Sequence, residues 1–217
     1  MKKILIAIYI FGAIFLCAAF FFSKESSKEN PFSADIVVGQ NLIVGIDSTW
    51  LSEDAIQFLT KIKPGGIILY RQANIESASQ LRLFIEGLQK LAVETIGMPY
   101  FIFLDEEPGG ATRLDLFKGF DPLGKTDWPS ISEDMKTIQG LGVNVLIAPV
   151  ADYSTKGDSF ISKRSPFASQ EALIDFNNKF IETSKKEGLA TTLKHFPGLG
   201  DLSTDPHKSV PHISEAS

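Results

Sequence analysis

The chain has 217 residues, 44% hydrophobic and 22% charged, an ordinary globular composition with room for one core and an appendage but not for two full domains. Its formal charge of -5 and pI near 5.3, with no basic run interleaved with aromatics, argue against nucleic acid as a partner. The single cysteine, Cys17, excludes an intramolecular disulfide.

Ile4 to Phe22 is an uncharged apolar run behind Lys2 and Lys3. At about 1.5 Å per residue it is long enough to cross a hydrocarbon core of about 30 Å. Residues 1–22 therefore read as a membrane anchor or a signal segment. No Ala-x-Ala pattern follows Phe20-Phe21-Phe22, which favours a retained transmembrane helix. With the lysines held in the cytoplasm, the remainder faces the periplasm or the cell exterior; a cleaved segment would leave it secreted. Cys17 lacks the small preceding residue that lipoprotein processing prefers and reads as an inert apolar position. Residues 23–34 are rich in Ser, Lys, Glu and Asn, as in a flexible linker that packs no core.

The folded unit is expected over 35–217, where short apolar runs alternate with longer amphipathic ones. Leu42 to Ile46 reads as a strand, Glu53 to Ile62 as a helix, and Gly66 to Tyr70 as a second strand. Ser77 to Val93 places Leu81, Phe84, Ile85, Leu88 and Leu91 at helical spacing, and Tyr100 to Leu104 is a third strand. Ser130 opens a helix, with Glu133 three residues later as a capping box, and Val143 to Ala148 is a fourth strand. Ser169 to Lys186 is a helix with Leu173, Phe176, Phe180 and Ile181 on one side; Leu189 to Leu193 is a fifth strand. Strands alternating with helices predict an α/β fold with a parallel sheet.

Polar residues recur where these strands stop: Asp47, Arg71, Asp105 with Glu106 and Glu107, Asp152, and Lys194 with His195. One such Asp is commonly a cap or a solvated loop charge, but five strands ending this way mark the functional edge of a parallel sheet. Asp105 to Arg113 sets three carboxylates and an arginine around a glycine turn. A hard cation is one reading of it, and hydrogen bonding to vicinal sugar hydroxyls is another. No second carboxylate cluster supplies further ligands, so neither a metal nor another cofactor is expected. The segment after the fifth strand carries Lys194, His195, Asp205 and His207. An aspartate two residues before a histidine can hold one imidazole nitrogen while the other transfers a proton. Gly-x-Ser-x-Gly is absent, which disfavours serine-based acyl chemistry.

Several ordered blocks together are similar to a known family: Val38-Gly39-Gln40, Pro64-Gly65-Gly66-Ile67-Ile68-Leu69, Asp105 to Arg113, Ala148-Pro149-Val150-Ala151-Asp152, Lys163-Arg164-Ser165, and Lys194 to His207. They resemble the catalytic barrel of glycoside hydrolase family 3, in particular the bacterial β-N-acetylhexosaminidases of peptidoglycan turnover. The resemblance implies a (β/α)8 TIM-barrel fold and a carbohydrate partner containing N-acetylglucosamine. It also implies that Asp105, Arg113, Arg164, Lys194 and His195 hold the sugar, and that Asp205 and His207 form the acid/base dyad. An imidazole then does what a carboxylic acid does in most retaining glycosidases.

The chain departs from the family pattern in places. It has Gly198-Leu199-Gly200 where Gly-His-Gly is common, Pro108 where a turn glycine is expected, and Pro206 inside the dyad, fixing φ there. The family's nucleophilic aspartate follows a later strand than those read here. The resemblance therefore implies an incomplete barrel of about five of eight β/α units, without its nucleophile and inactive alone. Two other readings stay open: a non-catalytic cell-wall carbohydrate-binding module, and a fragment completed by a separate chain.

Overall fold

The computed structural model describes residues 34–122 and 125–212. Helix α1, Ala34–Gly39, leads into β1, Ile43–Gly45; α2, Glu53–Ile62, connects to β2, Gly66–Leu69. A short α3, Arg71–Asn74, and the long α4, Ala78–Thr95, precede β3, Phe101–Leu104. Then come α5, Trp128–Gly140; β4, Val145–Leu146; α6, Gln170–Lys186; and β5, Ala190–Thr191. The strands form one parallel sheet in the order β1-β2-β3-β4-β5. The order follows the chain without a reversal, unlike a doubly wound sheet.

The helices form where the sequence predicts them, because their start signals are local. Ser52, Ser77 and Ser169 each accept a hydrogen bond from the backbone N–H three residues on, at 3.2, 3.1 and 3.2 Å, satisfying donors that a first turn leaves unpaired. Helix α5 differs from the expectation. It begins at Trp128, and its cap is Asp127, whose Oδ1 accepts from Ser130 N at 3.3 Å. Pro129 is at home in a first turn, where its missing N–H is not needed, so the helix starts before Ser130. Glu133 meets Lys136 at 3.3 Å rather than closing a capping box. The short helices α1 and α3 were not anticipated; neither is long enough to show a period.

Leu81, Phe84, Ile85, Leu88 and Leu91 are all buried, as their spacing predicts. They pack with Ile67 and Leu69 of β2 and Ile102 and Leu104 of β3, and with Ile131, Met135 and Ile138 of α5. Each such large apolar side chain stabilises the fold by about 1.5–3 kcal/mol. The strand ends are also tied by buried amides. Asn74 donates to Ile46 O and Ser48 O at 2.6 and 2.8 Å while accepting from Tyr70 N at 2.8 Å, which locks the end of β1 to that of β2. Asn144 does the same before β4, accepting from Ile102 N at 2.7 Å and donating to Tyr100 O at 3.2 Å.

Two of the sequence blocks turn out to serve packing. A Cβ on Gly39 would lie 2.1 Å from Ile62 O, and one on Gly65 would lie 2.3 Å from Gln40 O. Only glycine permits this close crossing of α1 with the turn into β2. Strand alternation sends Ile67, Leu69, Ile102 and Leu104 toward the helices. The other sheet face carries the register rows Ile43, Gly66, Phe101 and Gly45, Ile68, Phe103, Val145, Ala190. On that face Ile43 and Phe101 are 55% and 60% exposed.

The expected membrane segment, 1–22, and all but the last residue of the expected linker lie outside the described residues. Among the described residues no helix is long and apolar enough to cross a membrane.

Candidate active site

Parallel strands aim their carboxyl ends at one edge, and three of them deliver charge there. Asp105, Glu106 and Glu107 follow β3, Asp152 follows the extension of β4, and Lys194 and His195 follow that of β5. A bridge between Val150 and Lys194 continues the pairing past the strands, with Ala151 N donating to Lys194 O at 2.6 Å. Asn177 of α6 donates to Val150 O at 3.2 Å, clamping this extension from the helix side.

The side chains join into one line of alternating sign. Arg113 Nη2 donates to Asp105 Oδ2 at 2.8 Å, and the other Asp105 oxygen accepts from Lys194 Nζ. Lys194 Nζ also contacts Glu107 Oε1. Arg164 grips Glu107 with two bonds, Nη2 to Oε1 at 2.6 Å and Nε to Oε2 at 3.1 Å. Arg164 Nη2 lies 3.2 Å from His195 Nε2, and His195 Nδ1 lies 2.7 Å from Asp152 Oδ2. A guanidinium only donates, so His195 accepts at Nε2 and donates at Nδ1, which is the neutral tautomer. Asp152 further accepts from His195 N at 2.9 Å and Leu199 N at 2.5 Å.

Glu107 has a fully buried side chain and Asp152 one that is 1% exposed. Burial works to raise the pKa of both. For Glu107 the hydrogen bond from Arg164 and the charge of Lys194 outweigh it, and the carboxyl stays below the usual range. For Asp152 the hydrogen bonds from His195 and from the Leu199 and His195 backbone do the same. Lys194, His195, Asp152 and Tyr153 line a cavity of about 370 Å³.

The predicted sugar contacts Asp105, Arg113, Arg164, Lys194 and His195 are therefore brought together. Asp47 and Arg71, also noted at strand ends, are exposed and make none of these contacts. Asp205 and His207 meet each other instead. Asp205 Oδ1 accepts from His207 N at 2.9 Å and from His207 Nδ1 at 2.8 Å, and the histidine side chain is 79% exposed. The imidazole rests 5.9 Å from the Phe160 ring, whose face also carries Arg164 at 5.3 Å.

Two residues in the line were not among the predicted contacts, Glu107 and Asp152. Each stood in a singled-out block, but only the fold shows that Glu107 joins two cations and that Asp152 fixes the histidine. Asp201 is a further such residue. Its carboxylate accepts from Ser154 Oγ and Thr155 N at 2.7 Å and Thr155 Oγ1 at 2.8 Å, tying the loop after β5 to the loop after β4. Those hydrogen bonds lower its pKa to about 2. The Asp105 to Glu107 carboxylates are spent on these cations and on backbone donors. Among the described residues no group of three or more His, Cys, Asp or Glu side chains could hold a metal ion.

Residues 38–217 match the model of the glycosyl hydrolase family 3 N-terminal domain. The chain belongs to glycosyl hydrolase family 3. The matched span includes every residue of the charged line and the Asp205–His207 pair. Among curated relatives in the family, the β-hexosaminidase of Haemophilus ducreyi is 28% identical over 189 residues, covering 81% of this chain and 53% of its own. That of Pasteurella multocida is 25% identical over 189 residues, covering 79% and 51%. This chain thus spans about half the length of these curated relatives. A solved family 3 β-N-acetylglucosaminidase from Paenibacillus superposes with a TM-score of 0.71 at 27% identity, over 81% of this chain and 35% of that one. NagZ from Neisseria gonorrhoeae, at 21% identity and a TM-score of 0.66 over 80% and 55%, shares the fold.

Proposed function

We propose that this chain supplies the sugar-holding face and the acid/base dyad of a family 3 β-N-acetylhexosaminidase acting on terminal β-linked N-acetylglucosamine in peptidoglycan-type glycans. The observation that carries the reading is the line from Arg113 to Asp152, which gathers cations and carboxylates from three strand ends and whose Lys194, His195 and Asp152 line a cavity. Such fixed donors and acceptors suit vicinal hydroxyls and an acetamido group. His207 is the proton carrier. Asp205 holds its Nδ1–H, leaving Nε2 to protonate the glycosidic oxygen and later to take a proton from water.

Retention needs a second carboxylate to form the glycosyl-enzyme bond. Asp105 and Glu107 each face two cations, which holds their charge in place and leaves neither free to attack. The nucleophile therefore comes from the remaining β/α units of a (β/α)8 barrel, of which these five strands form one wall. The exposed Ile43 and Phe101 on the sheet face fit completion by those units, in a separate chain or in the same one. Because the bound carboxylates suit binding as well as they suit turnover, a non-catalytic carbohydrate-binding module is the second reading. In either reading the apolar run Ile4 to Phe22 anchors the protein at a membrane, facing the periplasm or cell exterior, or is cleaved to leave it secreted.

The test is an assay of the full chain on a chromogenic β-N-acetylglucosaminide, with and without the remaining family barrel half added in trans. Turnover only with the added half supports the proposal, and turnover by the 217-residue chain alone overturns the division of labour. Calorimetric binding of N-acetylglucosamine that is lost in Lys194→Ala, without turnover in either case, selects the binding module. Release of the protein from membranes by salt alone would remove the anchor.

A further inference from the structure

Glu106 lies between the two carboxylates of the charged line yet takes no part in it. It is 0% exposed and no ion pair to it is found among the described residues. Its carboxylate is filled by donors from a single stretch of chain. Oε1 accepts from Thr112 Oγ1 at 2.6 Å and Leu116 N at 2.8 Å, while Oε2 accepts from Arg113 N and from Leu114 N at 2.8 Å. A buried carboxylate keeps its charge at low cost when hydrogen bonds saturate it in this way.

The stretch it holds would not keep this shape by itself. Asp115 and Phe117 have φ of 61° and 59°, a left-handed conformation unfavourable for residues with a Cβ. Thr112 Oγ1 accepts from Asp115 N at 2.6 Å, and Asp134 accepts from Phe117 N at 2.8 Å at the far end. Arg113 is carried on this turn, and its Nε is buried with no hydrogen-bond partner among the described residues. That orphan donor is unfavourable, so the Nη2 bond to Asp105 is made at a cost, and the turn that carries Arg113 sets where its side chain starts.

We infer that Glu106 is a positioning residue, a buried acceptor that shapes the Thr112–Leu116 turn so that Arg113 meets Asp105 and the sugar. The sugar clause rests on the function proposed above; the placement of Arg113 does not. Glu106→Gln keeps the size but replaces one acceptor oxygen with an NH2 group. With backbone N–H groups bound at both oxygens, either orientation sets a donor against a donor.

The experiment uses the full chain, ¹⁵N-labelled, with two readouts: solvent exchange of the Arg113 Nε–H signal, and N-acetylglucosamine affinity. In Glu106→Gln we expect exchange at Arg113 to quicken and sugar affinity to fall, each about tenfold, while unfolding stays cooperative. In Glu106→Gln combined with Arg113→Ala, affinity falls no further than in Arg113→Ala alone. Thr112→Val removes one of the four donors and gives a smaller change in the same direction; it decides the matter alone if Glu106→Gln does not fold. Unchanged Arg113 exchange in the folded variants, or fully additive losses of affinity, overturns the inference. If the wild-type chain binds no sugar, the sugar reading fails, and the exchange measurement still decides whether Glu106 places Arg113.

Discussion

Asp152–His195 and Asp205–His207 share one contact, a carboxylate oxygen 2.7 and 2.8 Å from Nδ1, with the same oxygen also taking the histidine backbone N–H. Their surroundings differ. Asp152 is buried and His195 gives its second nitrogen to Arg164, so every polar atom of that pair is occupied. The Asp205 side chain is 27% exposed and that of His207 79% exposed. One motif therefore yields a fixed contact in one place and, in the other, an open imidazole suited to the proton transfer proposed above; what separates them is burial and the partner of Nε2.

The largest expected effect on stability tests the buried pair. Asp152→Ala strands the His195 and Leu199 donors and should lower stability by about 1–3 kcal/mol in urea unfolding. Asp205→Ala should leave the unfolding midpoint where it is. Equal losses in the two variants would erase the distinction. Next, His207→Gln in the reconstituted barrel should lower turnover by about 10²–10⁴-fold without moving that midpoint, as the loss of a general acid does. His195→Gln should instead weaken sugar binding and lower stability together.

Acid sharpens the contrast further. Glu107 and Asp152 have folded pKa values below their ordinary ones, so the folded state binds fewer protons than the unfolded state at those sites. Their contribution is fully present above the ordinary carboxylate pKa and fades as pH falls through the lowered values. Asp201 places its own window between 3.8 and about 2. Urea midpoints should therefore fall on acidification below about pH 4, and less steeply in Asp152→Asn. The smallest effect concerns Lys208, 3.7 Å from Asp205 with its side chain 82% exposed. Lys208→Ala should produce no measurable change in stability, since exposed pairs of this kind contribute little.

Much of the fold was legible because its signals are short in range. Ser77 and Ser169 announce α4 and α6, and the spacing of Leu81, Phe84, Ile85, Leu88 and Leu91 names the buried face before any packing is known. The α5 start is ambiguous in sequence for the same reason: Asp127 and Ser130 are both acceptable caps, and Pro129 in the first turn settles the choice. For the site, the residue types gathered at the strand ends were legible and their pairing was not. Glu106 and Glu107 are adjacent in sequence and point to opposite tasks, one saturated by a turn and the other bound to Arg164 and Lys194.

The sequence by itself determined the alternation of strand and helix, the residues that leave each strand, and the family, since caps, periodicity and motif spacing lie within a few residues of one another. Only the tertiary structure decided which carboxylate meets which cation. Lys194 reaches Asp105 across 89 residues of chain and His195 reaches Asp152 across 43, contacts that exist only because parallel strands bring their ends to one edge. Burial then separated the two histidines: it took both nitrogens of His195 into the charged line and left the His207 side chain exposed beside Asp205.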